Sequence, residues 1–165
     1  MTPEFRVWEK TTKKFWKIEV WHVEDEYFEL TEYGKHIMDP EAEKMEQTLG
    51  DVALMQCIGR ESQDGTEIYV DDIVSIVLDR YVFGYYQEYE YTGIVKFDEE
   101  SCCYYVDLIK LVDIYGETIP SEIDGIDIAV EEPDPEYTNF YFDENIVSED
   151  IEIIGNIWEN PELLN

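Results

Sequence analysis

The apolar residues of this chain come in short alternating runs, and turn-forming residues break those runs every few positions. Phe5-Arg6-Val7-Trp8 alternates, Lys10-Thr11-Thr12-Lys13-Lys14 is a polar turn, and Phe15-Trp16-Lys17-Ile18-Glu19-Val20-Trp21 alternates again. A period of two puts successive side chains on opposite faces of a strand, so this opening predicts a hairpin. Val52 to Ile58 reads as a further strand, and Asp64-Gly65 is a strong turn signal. Glu67-Ile68-Tyr69-Val70 and Ile73-Val74-Ser75-Ile76-Val77 flank a second turn at Asp71-Asp72. Many short strands at this spacing point to a mostly-β fold. One segment reads otherwise. Asp39-Pro40-Glu41 has the N-cap and first-turn residues of a short helix running through Ala42, Met45 and Leu49 to Gly50.

The second half continues in strands. Tyr81 to Tyr91 holds five tyrosines (81, 85, 86, 89 and 91) and Phe83 around Gly84, which predicts a hairpin with tyrosine on at least one face. Gly93-Ile94-Val95-Lys96-Phe97 and Cys103-Tyr104-Tyr105-Val106-Asp107-Leu108 flank the turn Asp98-Glu99-Glu100-Ser101, and Asp124-Gly125 marks another hairpin. Glu131-Glu132-Pro133-Asp134-Pro135-Glu136 is an acidic, proline-stiffened loop, Asn139 to Asp143 is aromatic again, and Ile151 to Ile157 is the last strand. A turn like that at Asp71-Asp72, followed by a strand and Gly-x-Val, recurs in SH3-like small barrels. The expected architecture is therefore mostly β within an α+β frame. Residues 51–165 would form an SH3-like barrel with insertions, and residues 1–50 an α+β extension packed on it as one compact domain.

Charge narrows the partners. Eleven Lys and Arg face forty-one Asp and Glu, a net charge of −30, yet 44% of residues are hydrophobic and 15% aromatic. Disordered chains lack that apolar content, so the acids ride on a folded body. The first twenty-two residues carry five basic and three acidic side chains, whereas sixteen acids and no Lys or Arg follow Lys110. Such a field repels nucleic acid and anionic membrane surfaces and attracts basic proteins and cations. The expectation is no direct nucleic-acid contact and no membrane. Three cysteines, two of them adjacent (Cys102 and Cys103), give no disulfide framework. With no signal-type leader and no long apolar run, this fits a reducing cytoplasm.

Motifs for chemistry are sparse. No glycine-rich phosphate loop and no G-x-S-x-G elbow occurs. His22 and His36 lie fourteen apart without nearby cysteine, a poor match to zinc-site spacing, and read as ordinary surface residues. Cys57, Cys102 and Cys103 fall in expected strands, where a buried structural role is the default. Asp71 and Asp72 form a candidate divalent-ion site with Glu67 or Asp64; the favoured alternative is that Asp72 caps the turn by accepting local backbone N–H bonds. Gly155 marks a bulge or a close backbone approach, Trp158 anchors the tail, and Asn160-Pro161 starts a turn. Tyr81, Phe83, Tyr85, Tyr86, Tyr89 and Tyr91 divide between core filling and a protein-contact surface, since tyrosine buries much area at little rotamer cost. Glu88 and Glu90 beside them disfavour base stacking.

Two segments carry a resemblance. Leu54-Met55-Gln56-Cys57-Ile58-Gly59 running on to Gly65-Thr66-Glu67-Ile68-Tyr69-Val70-Asp71-Asp72-Ile73-Val74, and the closing Ile153-Ile154-Gly155-Asn156-Ile157-Trp158-Glu159-Asn160-Pro161-Glu162-Leu163-Leu164, together resemble the signature of the YopX family. The resemblance marks Gly59, Gly65, Tyr69 and Asp72 in the first segment, and Gly155, Asn156, Trp158 and Pro161 in the second, as structural motif positions. Where this chain has Val70-Asp71-Asp72, the family usually has Glu-Gly-Asp. Membership implies a phage or prophage gene and no established activity. The expected function is a non-catalytic accessory protein, without cofactor, that binds another protein of unknown identity, a basic host protein being one candidate. The alternatives are a structural or assembly homo-oligomer and a nucleic-acid mimic that occupies the basic groove of a host nucleic-acid-binding protein.

Overall fold

Turn chemistry sets where each strand stops. In the computed structural model, which describes residues 4–129, 139–142 and 146–165, the chain folds into antiparallel strands joined by short turns. Phe83 and Gly84 both take positive φ, 52° and 88°, as do Asp124 and Gly125 at 51° and 79°. Two consecutive left-handed residues make the hairpin turn whose twist matches that of the flanking strands.

Two sheets result. The first contains β1 (Phe5–Glu9), β2 (Lys14–His22), β3 (Tyr27–Glu32), β4 (Lys44–Thr48), β5 (Val52–Glu61) and β6 (Glu67–Tyr69), in the order β4-β3-β2-β1-β5-β6. The second contains β7 (Asp72–Val82), β8 (Tyr85–Asp98), β9 (Cys103–Gly116), β12 (Asn139–Tyr141) and β13 (Ile151–Asn156), in the order β12-β9-β8-β7-β13. A two-stranded hairpin, β10 (Glu122–Ile123) and β11 (Ile126–Asp127), stands apart. Short 3₁₀ turns occupy Leu49–Asp51, Ser148–Asp150 and Pro161–Leu164.

Each sheet has its own apolar cluster. Val7, Trp16, Phe28, Leu30 and Val52 pack together on the six-stranded sheet. Val74, Ile76, Tyr91, Val95 and Ile151 of the five-stranded sheet lead the other cluster, which Ile68 of β6 joins from the first sheet. The sheets are tied where β5 and β6 pass into β7. Arg60 of β5 donates to the Ile146 carbonyl at 2.7 Å, and the Gln63 N–H donates to the Ile151 carbonyl at 2.8 Å.

Three expectations are corrected. The sheets are open, with no closed barrel, so the SH3-like architecture does not form. The N-terminal part is not α+β, because no α-helix forms among the described residues. Lys44 to Thr48, the core of the expected helix, is strand β4 instead, with Met45 opposite Leu30 of β3. Alternation places Met45 inward, and a ladder along β3 outweighs a helix too short to be stable alone. Asp39 still accepts a local bond, from the Glu41 N–H at 2.9 Å, but it shapes a turn. Finally, Cys102 lies in the β8–β9 turn at φ 54°, and both Cys102 and Cys103 are exposed rather than buried in a strand. The acidic loop Glu131 to Glu136 lies outside the described residues.

Candidate functional site

The motif positions converge on the turn between β6 and β7. Asp72 is 1% exposed; one carboxylate oxygen pairs with the Arg6 guanidinium of β1, and the other accepts the Tyr69 N–H at 2.8 Å. Arg6 lies between two rings, its guanidinium carbon 4.5 Å from the centre of Phe15 and 4.2 Å from that of Tyr69. Asp71 takes the left-handed conformation at φ 73°. Its N–H donates to the Val95 carbonyl at 2.8 Å, and its carboxylate accepts Trp158 Nε1 at 3.3 Å. Buried Asn156 accepts the N–H groups of Trp158 and Glu159 at 3.0 and 2.9 Å. Gly155 sits at a bulge in β13, and a Cβ there would stand 2.5 Å from Asn160 Oδ1. Pro161 opens the terminal 3₁₀ turn. Gly65 holds the Asp64-Gly65 turn at φ 82°, and Gly59 takes φ 74° in β5.

These residues form a clasp between the first strand, the middle turn and the tail. Burial pushes the Asp72 carboxyl up to about 6, against the pull of Arg6 and the Tyr69 N–H. Burial likewise raises Asp71, opposed by the Trp158 bond and by Lys96. The neighbours proposed as co-ligands are engaged elsewhere: Glu67 accepts the Tyr69 hydroxyl at 3.0 Å, and Asp64 accepts the Ser62 hydroxyl at 2.6 Å. Among the described residues, no three His, Cys, Asp or Glu side chains are grouped so as to hold a metal ion.

A second cluster lies on the outer face of the five-stranded sheet. Register pairs Ser75 with Thr92, Val77 with Glu90, Asp79 with Glu88 and Tyr81 with Tyr86, and paired residues share a face. Glu88 is also opposite Tyr115 of β9, and Glu152 of β13 is opposite Ser75. A cavity of about 370 Å³ opens here, lined by Asp79, Glu88, Glu90, Glu149, Asp150 and Glu152, with Tyr86 at its edge. Glu90 accepts the Ser75 hydroxyl at 2.6 Å, and no Lys, Arg or His lines the cavity. The Tyr86 ring lies 5.5 Å from that of Tyr81 and 6.0 Å from that of Tyr115.

The tyrosine hairpin therefore has two sides. Tyr81 and Phe83 are 69% and 59% exposed, and Tyr86 faces the cavity, while Tyr89 and Tyr91 are buried. Tyr85 is half-buried at the start of β8. Burial raises the Tyr91 hydroxyl above its ordinary range. A separate hollow of about 470 Å³ on the six-stranded sheet is lined by Leu30, Ile37, Met45 and Lys44 with Glu19, Glu29 and Glu46. His22 bonds Glu29 at 2.8 Å, and His36 accepts the Met38 N–H at 3.1 Å, so neither approaches a cysteine through these contacts.

Sequence reasoning missed two contributors, one partly and one fully buried. Arg6 gives no local sign of its partner 66 residues away. Glu9 is fully buried and accepts the N–H groups of Thr11 and Thr12, closing the Lys-rich turn. Burial opposes its ionisation, but those bonds prevail and hold its carboxyl below the usual range.

The model of the family described as YopX protein matches residues 4–165. The chain belongs to the YopX family. Among solved structures, it is similar to protein EF1440 from Enterococcus faecalis, at 15% identity and a TM-score of 0.46, over 100% of this chain and 99% of that one. No curated protein matches it. No helix among the described residues is long and apolar enough to cross a membrane.

Proposed function

We propose that this YopX protein is a phage- or prophage-encoded accessory protein of the host cytoplasm that acts by binding another protein and catalyses no reaction itself. The carrying observation is the outer face of the five-stranded sheet, where exposed Tyr81 and Tyr115 flank Tyr86, which lines a cavity walled by six carboxylates, and exposed Phe83 sits in the adjoining turn. Aromatic side chains flanked by charge are the composition of a protein contact with a polar rim. The clasp at Asp71 and Asp72 supports the same reading from the other side, because its polar atoms are spent on holding the fold.

The test is affinity capture from host lysate with wild type and with a Tyr81→Ser/Phe83→Ser/Tyr115→Ser variant, eluted in rising salt. A partner near one-to-one stoichiometry, kept by wild type and lost by the variant, is the expected result. Equal recovery by both proteins would overturn the choice of face. Recovery of the protein alone would point to a homo-oligomer, and release of a nucleic-acid-handling protein at one salt step would narrow the reading to phosphate mimicry.

A further inference from the structure

The outer face of the five-stranded sheet also bears on the chemistry of its partner, an inference that rests on the protein-contact reading above. We infer that this face accepts an arginine-bearing segment of the partner protein, with a guanidinium in the acidic cavity against the Tyr86 ring, in preference to a lysine-bearing one. Carboxylates alone would attract either base. The aromatic cluster beside them separates the two. A guanidinium is planar, weakly hydrated, forked toward carboxylates and able to stack on a ring, whereas an ammonium is a compact, strongly hydrated point charge.

The chain's own cations follow that rule. It has eight lysines and three arginines. Yet the cation–ring contacts among the described residues belong to arginines: Arg6 over Phe15 and Tyr69, and Arg80 over Tyr89 at 4.8 Å. At Arg6 the arrangement is complete, with two rings, a buried carboxylate and the guanidinium between them. The outer face repeats two of those three parts. Tyr81, Tyr86 and Tyr115 supply the rings, and Asp79, Glu88 and Glu149 are among the carboxylates of the adjoining cavity. No cation of the described residues lies over those rings. No cation of the described residues thus covers this sheet face, which offers a guanidinium opposite charge and rings to stack on.

Two short fluorescent peptides, identical except that one carries arginines where the other carries lysines, are titrated into the full chain at physiological ionic strength. The arginine peptide is expected to bind about tenfold tighter, the factor that a guanidinium–ring contact supplies. Tyr86→Leu, or the more exposed Tyr81→Leu if the first perturbs folding, should abolish that preference and leave lysine-peptide binding unchanged. Asp79→Asn/Glu88→Gln/Glu149→Gln should weaken both peptides more than Glu24→Gln/Asp25→Asn/Glu41→Gln, which removes as many exposed charges elsewhere. Equal affinity for the two peptides in wild type would overturn the arginine inference and leave the protein-contact reading standing. Binding to neither peptide, or equal weakening by the two triple variants, would likewise overturn the inference, while the protein-contact reading is decided by the capture experiment above.

Discussion

Burial and charge pull against each other at Asp72. Removal from water raises its carboxyl from the ordinary 3.8 to about 6, although Arg6 and the Tyr69 N–H favour the ionised form. A carboxyl raised on folding contributes stability that is fully present below its unfolded value and is lost as pH rises through its folded value. Asp72 should therefore give the protein a stability that falls between about pH 4 and pH 6, and Asp72→Asn should flatten the curve in that window. Arg6→Met leaves the buried carboxylate without its counter-charge. Breaking a buried pair in this way costs about 3–5 kcal/mol. Urea melts should show that loss at pH 8 and a smaller one at pH 5, where Asp72 takes up a proton. A loss of equal size at both pH values would mean that packing against Phe15 and Tyr69, rather than charge, is what Arg6 supplies.

The element that decides the candidate site is the β7–β8 hairpin. Its alternation sends Tyr89 and Tyr91 into the core and Tyr81 and Tyr86 outward, so one hairpin both anchors the sheet and presents the proposed contact surface. The two-residue turn holds this register. Gly84 sits at φ 88° with no atom within 4 Å of where a Cβ would stand, so a substitution there strains the backbone alone. Gly84→Ala should cost about 1–2 kcal/mol. Hydrogen exchange should show faster opening at Tyr81, Val82, Tyr85 and Tyr86 than at Val74 and Val95. Uniform acceleration across the sheet would show that the turn contributes only to global stability. A slip of one residue in β8 would turn Glu88 and Glu90 inward and expose Tyr89 and Tyr91, which is why the turn matters to the surface as well as to the fold.

On the scale of the whole molecule the net charge of −30 dominates. Like charges at this density repel one another in the compact state, and salt screens them, with a Debye length of about 10 Å at 0.1 M. Tm should rise by several degrees as sodium chloride increases, and the triple variant Asp79→Asn/Glu88→Gln/Glu149→Gln should start from a higher Tm at low salt. A Tm independent of salt would mean that the acids stand too far apart to matter. The cavity concentrates this repulsion, since its six carboxylates come from β7, β8, β13 and the segment before β13. A cationic partner would relieve it, so binding and stabilisation should be coupled.

The sequence by itself determined most of the strands and turns, but not β3 at Tyr27–Glu32, whose acidic and aromatic residues show little alternation. The hairpins at Lys10–Lys14, Gly84 and Asp124-Gly125, the turn at Asp71-Asp72 and the bulge at Gly155 were all legible, because their causes are local: alternation of period two and residues that favour turns. It also carried the family, through two segments of fixed residues. The strand Lys44–Thr48 was misread because Asp39-Pro40 offers a helix start, and only the neighbouring β3 edge makes extension the better choice. The barrel was wrong for a similar reason: strand propensity says nothing about which edges close on which. Arg6 beneath Asp72, and the assembly of Asp79, Glu88 and Glu90 with Glu149, Asp150 and Glu152 around one cavity, were settled by tertiary structure alone. Pairing across some sixty to seventy residues depends on strand order, and strand order is fixed by the packing of whole sheets, which leaves no mark on local sequence.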